Sequence, residues 1–401
     1  MPSAELVITA FLGIALAASL VSRRTHTPYT VVLVIIGLLL AASSVSQYLG
    51  VDLLYDRFVG GGLFVGLVLP ALLFETMMNL DAFEFRRVLR PALLLATVGT
   101  LIATLVVGYI MFLAAVLSLF SAFLFAALIA PTDTATVLEV FRRMSVPRSL
   151  STMLETEAAF NDATGVVVFT VILTSFSALG QSFFPALGQF IYVLGGGVIV
   201  GLAVAYGARM LSKLASEPLP QIMLTVAAVY GSFALASALG VSGLIAVALT
   251  GLYFGNATMR GRLPGPTADE VRSFWVILAF VANTLAFLFV GLSTNVVALL
   301  GGLIPIGLAF VAVMASRFAS VYPLMTLERR AGFDFPRKWI NVATLAGMRG
   351  ALSIVLVASL PDTVAGRDMM VTMTLGVAFV SIVVQGFLLD RYVGRAFRQA
   401  E

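Results

Sequence analysis

Long apolar runs, separated by short charged or Pro/Gly-rich breaks, recur from one end of the chain to the other. About 20 apolar residues in a helix cross a bilayer core of about 30 Å, so each run reads as one transmembrane helix. The runs fall near 4–22, 28–46, 58–79, 91–114, 119–141 and 150–177, then 186–212, 219–238, 241–256, 272–294, 298–326, 338–360 and 368–390. They predict thirteen spans, of which the ninth is the shortest. The class expected is an all-α polytopic membrane protein, with 1–401 as a single membrane domain.

The basic residues give this count a direction. If alternate loops are cytoplasmic, starting after the first span, they hold Arg23 and Arg24, then Arg86, Arg87 and Arg90, then Arg142, Arg143 and Arg148, then Arg209 and Lys213. The later ones hold Arg260, Arg262 and Arg272, then Arg329, Arg330, Arg337 and Lys338, and finally Arg391, Arg395 and Arg398, which makes 20 of the 24 Lys and Arg residues. Only Arg57 and Arg367 fall in loops on the other side. The positive-inside rule therefore puts the N-terminus outside and the C-terminus in the cytoplasm. A missing span would scramble the bias, so the asymmetry also supports the count. No basic residue precedes the first apolar run, which argues against a cleaved signal peptide.

Composition agrees and narrows the chemistry. The chain is 60% hydrophobic and 11% charged, with a mean hydropathy of +1.05, so lipid is its solvent. Cysteine is absent, which excludes disulfides and thiolate chemistry. The single histidine, His26, lies in a basic loop and reads as a solvated residue, against zinc or haem chemistry. The net charge of +4 is spread over span ends rather than gathered in one patch, so no nucleic acid partner is expected. No GxxxxGK[ST] loop is present, which argues against an ATP-driven pump.

Six spans, a linking span and six more spans place the second half upside down relative to the first, an inverted repeat. Such repeats often place their binding site at paired interrupted helices, and the fifth and twelfth spans qualify. The fifth reads SAFLFAALIAPTDTATVLEV, with Pro131 and a Thr-Asp-Thr cluster at mid-membrane. The twelfth reads WINVATLAGMRGALSIVLVASL, broken around Gly347, Arg349 and Gly350. Proline removes an amide and glycine loosens the turn, so helix ends are freed at membrane depth, which is tolerated where they line a cavity or bind an ion. Two crossed, interrupted helices are expected.

Away from the loops, the charges left inside the membrane are Glu75, Asp133, Glu157, Asp162, Arg317 and Arg349. Each costs at least ~2.5 kcal/mol at the membrane centre, so such groups usually mark ion or proton routes. Glu139 and Glu155 lie nearer the cytoplasmic ends of their spans and read as interfacial. Glu157 and Asn161 are four apart and share a helix face, next to the face of Asp162. The division of labour expected is that Arg349 neutralises Glu157, with Asn161 closing that network, while Asp162 is left free. Protons and small cations then compete for Asp162, which is sufficient for exchange. Thr132 and Asp133 can add a backbone carbonyl and a second carboxylate, the hard oxygens an alkali cation prefers. Arg317 either neutralises helix-end carbonyls of the broken spans or ties spans together. Glu75 is either a water-mediated ion contact or a gate-lining carboxylate.

Four stretches, taken in order, resemble the monovalent cation/proton antiporter superfamily, specifically its NhaP-like branch of sodium/proton antiporters. LPALLFETMMNLD is similar to the third-span motif with its carboxylate at Glu75, and APTDTATV to the unwound-helix motif with Thr132 and Asp133. ETEAAFNDATGVVVF is similar to the Glu-Ser-x-x-Asn-Asp segment, placing Glu157, Asn161 and Asp162, and GMRGALSIVLVASLP to the Gly-x-Arg-Gly segment with Arg349.

The resemblance implies a homodimer in a lipid bilayer, a core bundle of spans 4 to 6 and 11 to 13 (about 91–177 and 298–390), and a dimerisation scaffold from about 4–79 and 186–294. It further implies elevator-like alternating access, no cofactor beyond the transported cation and proton, and a cell membrane location. A sodium ion would be held by Asp162, Asp133 and Thr132. The Asn-Asp pair, with Asn161, goes with electroneutral exchange of one cation for one proton. One departure stands out: Ala158 replaces the usual serine four residues before the key aspartate. That missing ligand leaves lithium or potassium open as the transported ion. A sensor or channel on the same scaffold is the alternative from another class.

Overall fold

A computed structural model describes residues 4–25, 27–43, 64–144, 146–177, 183–214, 217–259, 265–292, 296–333 and 335–397. His26, Arg57, Arg260, Arg262 and Arg398 lie outside the described residues. Among the described residues there is no strand. The first helices are α1 (Ala4–Thr25), α2 (Tyr29–Ala41), α3 (Leu69–Asn79, entered through a π turn Phe64–Val68) and α4 (Ala82–Leu113). The fifth span is α5 (Leu119–Ile129) and α6 (Ala135–Arg142), and the sixth is α7 (Arg148–Ser177). Then come α8 (Phe183–Ser212), α9 (Pro218–Ala238), α10 (Gly243–Tyr253) and α11 (Gly265–Leu292). The chain continues with α12 (Val296–Gly301), α13 (Leu303–Arg330), α14 (Arg337–Leu345), α15 (Ala351–Ala358) and α16 (Arg367–Phe397). Every expected span has its helix or helix pair.

Two boundaries differ from the sequence pattern. The fourth span starts at Ala82 rather than near 91, because the Asp81 side chain accepts from the Phe83 amide at 2.8 Å and caps a basic, amphipathic first stretch. Pro91 sits inside this helix and a π turn follows at Leu95–Gly99, the kind of local widening that absorbs a lost amide. The eleventh span is preceded by the separate short α12, which ends at the Gly301–Gly302 pair.

Helix length explains why the fifth and twelfth spans come in halves. The 11 residues of α5 and the 8 of α6 reach ~16 and ~12 Å at about 1.5 Å per residue. Neither alone crosses the bilayer, and the same holds for the 9 residues of α14 and the 8 of α15. The order of long helix, broken helix, long helix in α4–α7 recurs in α13–α16. Four spans lie between the two, so the eleventh span comes seven after the fourth, an odd offset, and the two units run in opposite directions through the membrane.

The largest apolar core is shared by α2, α5, α11, α15 and α16. Where α2 crosses α11, a Cβ on Gly37 would lie 2.9 Å from the Gly291 Cα, so only glycine lets the two backbones meet. The helix α3 packs on α10 and α11, α8 packs on α10 and α9, and α4 packs on α13, α5 and α7.

Candidate functional site

The two breaks face each other. The Asp133 amide donates to the Met348 carbonyl at 2.9 Å, a backbone bond from one interrupted helix to the other. A Cβ on Gly350 would overlap the Asp133 side chain, so the absence of a side chain there is what allows the approach. The Asp133 carboxylate accepts from the Ala135 amide at 2.8 Å and from the Ala351 amide, the first residues of α6 and α15. One carboxylate thus meets the positive ends of both outgoing half-helices.

Arg349 does the converse. It is fully buried, and its Nη1 donates to the carbonyls of Ala130 at 2.5 Å and Pro131 at 3.0 Å, the open C-terminal end of α5. Its own amide donates to the Ser381 hydroxyl of α16 at 3.0 Å. The expected pairing of Arg349 with Glu157 is therefore corrected. The arginine is held by helix-end carbonyls, a role the sequence left open for Arg317.

The partner of Glu157 is Arg317, reaching across from α13 with Nη1 at 2.5 Å from one carboxylate oxygen and Nη2 at 3.5 Å from the other. Glu157 is 2% exposed and Arg317 5%, so the pair is desolvated and each charge requires the other. The same Nη2 donates to the Ala343 carbonyl of α14 at 2.7 Å, so Arg317 also ties span 11 to span 12. The expected place of Asn161 in the Glu157 network is corrected as well. Its Nδ2 donates to the Thr132 hydroxyl at 2.6 Å and its Oδ1 accepts from the Thr132 amide at 3.3 Å. The stacking of Glu157 and Asn161 holds, but the two side chains brace different breaks.

Asp162 remains. It lines a cavity of about 410 Å³ together with Glu75, Thr132, Asp133 and Ala158. Among the described residues no hydrogen bond or ion pair engages its carboxylate, and Asp133 is the charge that acts on it. Glu75 accepts from Asn79 at 2.7 Å, and Arg272 donates to the other end of that amide at 3.2 Å. Glu155 is also on the cavity wall, accepting from Ser151 at 2.6 Å.

Glu139, read from sequence as interfacial, has a defined task. It accepts from the amides of Tyr29 at 2.5 Å and Thr30 at 3.4 Å, capping α2, and from Arg143 at 2.8 Å. No motif signals this, because the partner is a helix end more than a hundred residues away in sequence. Glu328, absent from the sequence list of buried charges, is 2% exposed and lies 3.3 Å from Arg90. Its proximity to Arg329 and Arg330 in sequence disguises it as a loop residue.

Comparison with known proteins agrees with these features. The family model described as sodium/hydrogen exchanger, transmembrane, matches residues 7–394. The chain is 32% identical over 390 residues to the Na(+)/H(+) antiporter NhaG of Bacillus atrophaeus, covering 95% of this chain and 73% of that one. It is 33% identical over 344 residues to the Na(+)/H(+) antiporter NhaP of Pseudomonas aeruginosa, covering 82% and 80% respectively. The solved structure of the sodium proton antiporter MjNhaP1 from Methanocaldococcus jannaschii at pH 8 superposes with a TM-score of 0.78 at 23% identity, over 98% of this chain and 99% of that one. That last likeness speaks for the fold alone. A family match over nearly the full length, joined to two crossed helix breaks and a carboxylate facing a cavity, places the chain in the sodium/hydrogen exchanger family of membrane antiporters.

Proposed function

We propose that the chain exchanges one monovalent cation, sodium in the first instance, for one proton, and that both occupy Asp162 in turn. The observation that carries this reading is the contrast among buried carboxylates. Glu157 is held by Arg317 and Asp133 by two helix ends, whereas Asp162 faces the cavity with no donor engaged among the described residues. A desolvated carboxylate that lacks a fixed counter-charge needs a mobile one, which either a proton or a cation supplies. One such group carries one positive charge at a time, which makes the exchange electroneutral. Asp133, the Thr132 carbonyl and Glu75 line the same space and supply further oxygens. Glu157, Asn161, Arg349 and Arg317 form the frame.

The cavity wall also includes Arg23, Arg142 and Glu139 near one end of the bundle. With the N-terminus outside, that end is cytoplasmic and the state is open to the cytoplasm. Alternating access then moves α4–α7 and α13–α16 as a core bundle against a scaffold of the remaining helices, which also forms a homodimer in the cell membrane. The contact between Thr30 and Thr136 at 2.8 Å, with the Glu139 cap on α2, joins the two groups and must separate in the movement. Ala158 supports a second reading in which potassium is the transported ion, because a cation ligand of the family pattern is missing at that position.

The test is a proteoliposome assay with an imposed pH gradient and an internal pH dye. Sodium is expected to collapse the gradient at a rate independent of membrane voltage, with lithium following and potassium weaker. A rate that follows voltage overturns one-for-one exchange. Potassium outperforming sodium overturns the ion assignment.

A further inference from the structure

We propose that the hydroxyl of Ser353 is a cation ligand of this antiporter, replacing the oxygen that Ala158 does not provide. This inference rests on the exchange reading above. Ser353 is 1% exposed and lines the same cavity as Asp162, Asp133 and Ala158. Among the described residues its Oγ is buried without a hydrogen-bond partner.

A buried serine in a helix normally returns its proton to the carbonyl three or four residues earlier. Ser316 donates to Val313 at 2.7 Å, Ser320 to Ser316 at 2.8 Å, Ser232 to Val229 at 2.9 Å and Ser381 to Ala378 at 3.0 Å. For Ser353 the residues three and four earlier are Gly350 and Arg349, both in the break before α15. The break therefore removes the usual acceptor geometry and leaves the oxygen available. Leaving a buried hydroxyl unmatched is costly unless something else engages it. Thr156 and Thr374 are also buried without partners, but neither lines the cavity. Among the described residues, the combination of a free, buried side-chain oxygen and a place on the cavity wall belongs to Ser353.

Chemically the substitution is coherent. A small alkali cation takes hard oxygens, and a hydroxyl donates a lone pair without adding charge. Moving that oxygen from α7 to α15 leaves the charge count of the site unchanged, so one-for-one exchange is preserved. It also places one ligand on each broken helix and one on α7, with Thr132 or Asp133 from the first break, Ser353 from the second, and Asp162.

The experiment measures sodium-driven proton flux in proteoliposomes for the full chain and its variants, over a range of sodium concentrations. Ser353→Ala is expected to raise the half-saturating sodium concentration about tenfold, with the rate at saturating sodium kept. Adding Ala158→Ser to that variant is expected to restore the half-saturating value, which a merely structural role for Ser353 would not allow. Ser353→Cys, close in size, guards against misfolding. Sulfur is a poor ligand for sodium, so the half-saturating concentration again rises. Unchanged half-saturation in Ser353→Ala or Ser353→Cys, or a fall in maximal rate alone, overturns the proposal while the wild-type flux keeps the exchange reading intact. Absence of sodium-driven flux in the wild type sinks both.

Discussion

The two interrupted helices solve the same problem with opposite charges. The break in the fifth span frees carbonyls at Ala130 and Pro131, and they are met by Arg349 from the twelfth. The break in the twelfth frees the amide of Ala351, and it is met by Asp133 from the fifth. Each interruption is thus neutralised by the side chain of the other, which explains why neither can be repaired into a continuous helix without stranding a charge. The bracing differs. The second break is tied through Arg317 to a buried ion pair with Glu157 and to Ala343, while the first has, beside the Arg349 contacts, only the neutral hydrogen bonds exchanged between Asn161 and Thr132 among the described residues. The more weakly braced break is the one that carries the cavity-facing oxygens of Thr132 and Asp133.

This asymmetry orders the effects of mutation. Arg317→Ala leaves Glu157 buried and unpaired, and should cost about 3–5 kcal/mol of stability in an unfolding titration in mixed micelles. Adding Glu157→Gln should recover a large part of that loss. Additive losses would mean the two do not act as a pair. Arg349→Ala strands the carbonyls at the end of α5, and about 2–3 kcal/mol is expected from the lost charge-assisted bonds. Asp133→Asn keeps an acceptor but removes the charge at both helix ends, for a loss of about 1–2 kcal/mol. Equal losses for Arg349→Ala and Arg317→Ala would erase the difference in bracing. Asn161→Ala should cost least, about 1 kcal/mol, and its main reading should be faster hydrogen exchange of the Thr132 amide.

Much of this was legible beforehand because lipid leaves few choices. Span number and both breaks follow from apolar run length and from Pro131 and Gly350. The short list of intramembrane charges named most of the groups that matter. Which cation meets which anion was not legible. Arg317 and Arg349 are equally plausible partners for Glu157 in one dimension, and only the crossing decides that Arg349 points at α5 while Arg317 reaches α7. Helix spacing correctly stacked Glu157 with Asn161, yet shared spacing does not mean a shared network. The contacts of Glu139 with Tyr29 and Thr30 join distant segments through backbone amides, which carry no sequence signal.

The central claim is that one carboxylate, Asp162, exchanges its proton for a cation. Proton release on adding sodium to purified, weakly buffered protein tests it most directly, with wild type and Asp162→Asn measured side by side. The expected result is one proton released per sodium ion bound in the wild type and none in the variant, at matched amounts of folded protein. Sodium-dependent release that persists in Asp162→Asn would contradict it.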